Sequence, residues 1–194
     1  MYPVNEIFCS LQGEGFNTGT ASVFIRLSGC NLSCYFCDTH YQSHTMMSAP
    51  EIVENVMAHN APLIVLTGGE PALWVDEPLI KALKITQKTI AIETNGTLPL
   101  PDGIDWITLS PKTAFNGGTT KPCLLTSCDE LKVVYTGQDL SQYDHINTKH
   151  RFLQPCYVNN KKQQLIGIQD TVAAILNNPS WRLSLQTHRI LGIK

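Results

Sequence analysis

Three cysteines, Cys30, Cys34 and Cys37, stand in the run C-N-L-S-C-Y-F-C. Their C-x3-C-x2-C spacing puts three thiolates on one short loop. Protein-held iron–sulfur clusters normally take four cysteines. Three of them leave one iron of a [4Fe–4S] cube without a protein ligand, open to a small molecule. Short cysteine clusters also hold structural zinc when a fourth Cys or His is near. His40 and His44 follow closely, so a Cys3His zinc site stays open at this point. Disulfides fit poorly, because the chain has seven cysteines, an odd number, and shows no secretory signal peptide.

Two further stretches place polar groups directly behind apolar runs. Leu63-Ile64-Val65-Leu66 leads into Thr67-Gly68-Gly69-Glu70-Pro71, and Thr89-Ile90-Ala91-Ile92 leads into Glu93-Thr94-Asn95-Gly96. Paired glycines let a ligand reach the backbone, and Glu70 can pair with an ammonium. A carboxylate at Glu93 can accept hydrogen bonds from ribose hydroxyls. An ordinary Gly-rich turn and an Asn-Gly turn with a surface Glu are the plain structural alternatives. Cys9 and Cys156 read as small buried hydrophobes. Cys123 and Cys128 flank Leu-Leu-Thr-Ser, and a second metal site there needs two more ligands.

These groups need strands to carry them. Residues 22–27 (S-V-F-I-R-L), 63–66, 89–92 and 106–109 are β-branched or apolar runs of strand length. Residues 131–135, 152–154 and 183–186 suit later strands. Ser48-Ala49-Pro50-Glu51 has a capping-box pattern with Pro in the first turn. Ile52, Val53, Val56 and Met57 then share a helical face. Leu79, Ile80, Leu83 and Lys84 fall in a second helix, and 172–176 in a late one. Strands alternating with helices predict a parallel sheet with polar groups at the strands' C-terminal ends.

The crossover pattern is incomplete. Residues 95–105 are few and include Pro99 and Pro101, 113–129 are rich in Gly, Thr and Pro, and 41–47 have no clear assignment. A closed eightfold barrel typically needs about 250 residues, and this chain has 194. The expected fold class is α/β: a partial, TIM-like barrel with a mostly parallel sheet and reduced crossover helices, in one domain spanning 1–194.

Hydrophobic residues make up 43% of the chain, enough for a core, and the net charge is −2. No global pull toward nucleic acid or anionic lipid follows from that charge. No apolar run approaches the roughly 18 residues a membrane span needs. The expectation is a cytoplasmic protein whose free thiols stay reduced.

Taken together, the three-cysteine loop, with Phe36 before its last cysteine, and Gly68-Gly69-Glu70 resemble the radical S-adenosylmethionine (SAM) enzymes. The resemblance implies that methionine's amine and carboxylate chelate the fourth iron, that Gly68-Gly69-Glu70 serves the methionine amino group, and that a 5′-deoxyadenosyl radical takes a hydrogen from substrate. A narrower resemblance runs along nearly the whole chain. Pro3-Val4-Asn5-Glu6-Ile7-Phe8, Leu11-Gln12-Gly13-Glu14-Gly15, Phe24-Ile25-Arg26-Leu27, Cys37-Asp38-Thr39, Leu109-Ser110-Pro111-Lys112 and Leu185-Gln186-Thr187-His188 are similar to the 7-carboxy-7-deazaguanine synthase family. That family converts 6-carboxy-5,6,7,8-tetrahydropterin to 7-carboxy-7-deazaguanine, on the way to queuosine in tRNA. The radical abstracts hydrogen at C6, the ring contracts, and ammonia leaves.

The resemblance implies roles residue by residue. Leu11, Gln12, Gly13, Arg26 and Thr67 line the substrate, with Glu14 and His188 as further contacts. Gly69, Ser110, Pro111 and Lys112 meet SAM, with Glu70, Glu93 and Asn95 on the same side. Thr39 is the protein ligand of a Mg²⁺ ion, which suits a hard cation that prefers oxygen. Arg26 can clamp the pterin carboxylate bidentately, and Gln12 and Glu14 can pair with pterin N–H groups. A surface ion pair for Arg26, a flexible glycine loop at 11–15, a capped turn at Thr39 and a structural His188 are the alternatives. The family implies a homodimer and a flavodoxin- or ferredoxin-type reductant. Rival readings are a glycyl-radical-type activating enzyme, which shares the cysteines and Gly68-Gly69-Glu70, and a non-catalytic Fe–S or zinc module.

Overall fold

The computed structural model describes residues 1–37, 39, 43–112 and 121–194. Of the positions weighed above, Asp38, His40, Tyr41, Gln42 and 113–120 lie outside the described residues. Nine strands form one sheet: β1 (Tyr2–Leu11), β2 (Ala21–Leu27), β3 (Thr45–Met47), β4 (Leu63–Gly68), β5 (Thr89–Thr94), β6 (Trp106–Leu109), β7 (Ser127–Tyr135), β8 (Asn147–Pro155) and β9 (Arg182–Leu183). Their order is β3-β1-β2-β4-β5-β6-β7-β8-β9. From β2 to β9 every pairing is parallel, while β1 runs antiparallel to both β2 and β3.

Among the described residues the crossovers are as sparse as the sequence implies. Helix α1 (Ala49–Met57) precedes β4, α2 (Glu77–Lys84) precedes β5, α3 (Lys161–Asn177) precedes β9, and α4 (Thr187–Leu191) follows it. No helix joins β5 to β6. Ser48 caps α1 with the full capping box, its side chain taking the Glu51 N–H while Glu51 reaches back to the Ser48 N–H. No helix among the described residues is long and apolar enough to cross a membrane.

Alternation along the strands sorts the two faces. One face buries Ile25, Leu27, Ile64, Leu66, Ile90 and Ile92 against Ile52 and Val56 of α1 and Leu79, Ile80 and Leu83 of α2. Each such side chain contributes about 1.5–3 kcal/mol when taken fully from water. The opposite face begins apolar, with Phe24, Val65 and Ala91 packed near Phe8 and Trp106. It turns polar toward the strands' C-terminal ends. On this face the register pairs Arg26 with Thr67, Glu93 with Thr108, Thr108 with Glu130, and Val134 with Gln154.

Several expectations need correction. Strand β1 and the short β3 went unread, because β1 is an antiparallel addition outside the βαβ pattern. Met57 is exposed at 58%: it lies past the buried stripe of Ile52 and Val56. Helix α3 begins at Lys161 rather than 172, and its buried residue is Thr171, so hydrophobic periodicity did not mark its start. The last strand is just Arg182–Leu183, because Gln186 caps α4. Cys9 is exposed on β1 and Cys156 is half-buried, so neither is the core hydrophobe expected.

Candidate active site

Strand β2 delivers the chain to the cysteine loop, and the neighbouring strand ends hold that loop in place. Gly69 N–H donates to Leu27 O (3.2 Å) and Glu70 N–H to Gly29 O (2.9 Å). A Cβ on Gly69 would sit 2.0 Å from Gly29 O, so only glycine allows the two loops to approach this closely. The Trp74 indole N–H donates to Ser28 O (2.7 Å). From the other side, Asn31 donates to Thr97 Oγ1 (2.8 Å) and accepts from Asn95 Nδ2 (3.0 Å). Asn95 also accepts from the Thr97 N–H and hydroxyl, so its amide is a brace for the loop.

Glu70 is 1% exposed. Its Oε1 accepts from the Thr94 hydroxyl (2.7 Å) and the Ala72 N–H (3.0 Å), and its Oε2 accepts from the Asn95 N–H (2.7 Å). Burial pushes its carboxyl above the usual range, and these three donors oppose the rise. Glu70 therefore locks the β4 and β5 ends together, and the backbone of Gly68 and Gly69 lines the opening beside it.

A single cavity of about 560 Å³ opens over the polar face of the sheet. Cys30, Cys34, Cys37 and Thr39 stand on its wall. So do Leu11, Gln12, Gly13, Glu14, Arg26, Thr67, Gly69, Glu70, Glu93, Asn95, Ser110, Lys112 and His188. Pro111, the remaining candidate, is buried beside Ser110 and is not a lining residue. Tertiary folding thus brings 17 of 18 sequence candidates, drawn from both ends of the chain, to one space.

Arg26 Nε donates to Glu6 (2.9 Å), and its guanidinium lies 5.7 Å from the Phe8 ring centroid. That anchoring leaves the two Nη groups for an end-on bidentate grip on an anion. Gln12 is 7% exposed; it donates to Glu93 Oε1 (3.0 Å) and accepts from the Glu14 N–H (3.1 Å). The His188 ring lies so near Gly13 that an added Cβ would meet Nδ1 at 2.2 Å, and Thr187 donates its N–H and hydroxyl to Gly13 O. Glu93 sits inside β5, facing Gln12 and Lys132 (3.4 Å), a wall position rather than the surface turn of the plain alternative.

Sequence reasoning missed Asn31, Trp74, Lys132, Gln154 and Gln186. For Lys132 a signal existed: a lysine between Leu131 and Val133 in an apolar strand must find a buried partner. It is 2.5 Å from Glu14, whose other oxygen accepts from Gln186 (2.9 Å). Lys112 donates to Ser110 O (2.8 Å) and Oγ (2.6 Å). Burial holds the Lys112 ammonium below its usual pKa, against the pull of Cys34, Glu70 and Glu14. Burial likewise pushes the Cys30 and Cys34 thiols up, and Lys112 opposes this at Cys34.

The donor set fits an iron–sulfur cube. Cys30, Cys34 and Cys37 line one cavity, and three thiols supply one sulfur to each of three iron corners and leave the fourth iron open. Cys30, Cys34 and Cys37 would hold the cube, beside the Gly69 backbone.

The Radical SAM superfamily model matches residues 24–123, and the chain belongs to that superfamily. It is 50% identical to the 7-carboxy-7-deazaguanine synthase of Bacteroides thetaiotaomicron over 194 residues, all of both chains. It is 38% identical to the synthase of Haemophilus influenzae, over all of this chain and 94% of the other. The crystal structure of QueE from Escherichia coli superposes with a TM-score of 0.70 at 27% identity, over 95% of this chain and 93% of that one. The chain belongs to the 7-carboxy-7-deazaguanine synthase family.

Proposed function

We propose that this chain is a radical SAM lyase converting 6-carboxy-5,6,7,8-tetrahydropterin to 7-carboxy-7-deazaguanine, by hydrogen abstraction at C6, ring contraction and ammonia loss, in queuosine biosynthesis. Membership of the synthase family supports the reaction. The observation that carries it to these residues is the cavity lined both by the three cysteines and by Gln12, Glu14, Arg26 and Glu93. A bound cluster and SAM supply the electron and the hydrogen-abstracting carbon radical; the protein positions them.

The chain's own residues do the rest. Arg26 grips the pterin carboxylate. Gln12 and Glu14 take the N–H edge of the pyrimidine ring; Glu93, expected on the SAM side, joins them in this reading because Gln12 and Lys132 hold it there, with Leu11, Gly13, Thr67 and His188 completing the wall. Gly69, Ser110 and Lys112 face SAM, while Glu70 and Asn95 hold the loops that shape its site. Thr39 would offer its hydroxyl to Mg²⁺, a hard cation that takes oxygen ligands and would supply charge stabilisation as the ring rearranges. The whole chain acts as one radical SAM domain. A flavodoxin- or ferredoxin-type protein in the cytoplasm supplies electrons. A homodimer is the expected assembly: among the described residues β3 covers β1 only along Tyr2, Pro3 and Val4, and a second copy can shield the rest of that edge.

The test is an anaerobic assay of reconstituted protein with SAM, reductant, Mg²⁺ and the pterin, read by mass spectrometry. The expected product is 7-carboxy-7-deazaguanine. Deoxyadenosine without that product keeps the radical chemistry and removes the substrate; a glycyl-radical-type activating enzyme would then need a protein partner. Neither species, from protein with an intact cluster, points to an Fe–S electron carrier.

A further inference from the structure

Lys132 sits in the middle of β7 at 5% exposure, between the fully buried Leu131 and Val133. Its ammonium is 2.5 Å from Glu14 Oε2 and 3.4 Å from Glu93 Oε1. Gln186 takes Glu14 Oε1 (2.9 Å), and Gln12 takes Glu93 Oε1 (3.0 Å). Both bonds to Glu93 fall on the same oxygen, and Oε2 has no donor among the described residues. Glu130 on the same strand, Lys112 behind β6 and His188 of α4 complete the charged and titratable groups around the pair.

We propose that Lys132 is a positioning residue of the substrate pocket: its ammonium keeps Glu14 a charged acceptor and fixes Glu93 beside it, so that the two receive the N3–H and 2-amino groups of the pterin. The inference rests on the pterin reading above. The physical reason is the cost of isolation. A buried cation between two carboxylates is stable only while paired, and an apolar residue would fill this strand position more cheaply. What the lysine adds is charge at Glu14. Burial alone raises that carboxyl, whereas Lys132, with Gln186 and His188, brings it down to about 2. A protonated carboxyl would lose an acceptor where the substrate offers donors.

The experiment titrates anaerobic holoenzyme, with SAM and no reductant, with 6-carboxytetrahydropterin and with the analogue carrying oxygen in place of the 2-amino group. Lys132→Met is expected to weaken pterin binding about tenfold or more and to erase the preference over the analogue, a loss of about 1.4 kcal/mol or more. Lys132→Arg, which keeps the charge, is expected to retain the preference. A folded Lys132→Met protein that still prefers the pterin overturns the proposal, as does one altered in melting temperature alone. Wild-type protein that binds no pterin overturns both this proposal and the substrate reading. Carboxyl carbon NMR of wild-type protein tests the same point with no change at Lys132. The Glu14 signal, assigned with Glu14→Gln, is expected to stay ionised to about pH 4, and its protonation at or above the ordinary carboxylate range overturns the proposal.

Discussion

Glu70 Oε2 accepts the backbone N–H of Asn95 at 2.7 Å, joining the ends of two adjacent parallel strands. Its other oxygen holds Thr94 and Ala72, so one buried carboxylate fixes both loops that border the cysteines.

Replacing Glu70 with Gln turns one acceptor oxygen into a donor that faces a donor. A loss of about 1–3 kcal/mol in unfolding free energy is expected, together with weaker SAM binding, measured by denaturant titration and calorimetry. The pH dependence has a definite sign. Burial raises the folded carboxyl above its unfolded value. Its contribution is therefore complete below the ordinary carboxylate range and falls as pH rises through the folded value. The Gln variant should lack that slope, and an unchanged slope would remove Glu70 as its source.

Gly69→Ala should damage the cluster site without touching a cysteine. The added methyl meets Gly29 O at 2.0 Å and Cys30 Cβ at 3.0 Å, so the cysteine loop must shift. Iron and sulfide per chain should fall after reconstitution, and SAM affinity with them. Normal iron content and affinity would show that the loops have more room than the structure gives.

Arg26→Ala should lower kcat/KM for the pterin by about 10- to 100-fold, the worth of a charge-assisted pair of about 1.5–3 kcal/mol. Cluster content should not change. Arg26→Lys should rescue poorly, because an ammonium cannot reproduce a planar two-point grip. Equal turnover of a pterin lacking the 6-carboxylate by wild type and Arg26→Ala is the accompanying control.

Thr39→Ala should abolish stimulation by Mg²⁺ while leaving iron content intact, and Thr39→Ser should retain it, since the hydroxyl is the ligand. Turnover measured across a Mg²⁺ titration reads both. Full stimulation of the Ala variant would move the metal to other oxygens.

The sequence by itself determined the chemistry and most of the scaffold. Cysteine spacing, apolar runs of strand length and the capping box at Ser48 are local signals, written in neighbouring residues. They marked the cysteine loop, the Gly68-Gly69-Glu70 turn, the central parallel strands and the shortage of crossover helices. Tertiary structure decided what lies far apart in the chain. That Lys132 meets Glu14 across 118 positions, and that His188 abuts Gly13, follow from sheet order and strand register, which no local pattern encodes. Strand β1 escaped because antiparallel addition at an edge has no crossover signature, and α3 because it buries little besides Thr171. Glu70 and Asn95 line the cavity as expected, and for the same reason a second role was hidden. Their residue types suggested ligand contacts, and only packing showed that they also brace the loops around the cysteines.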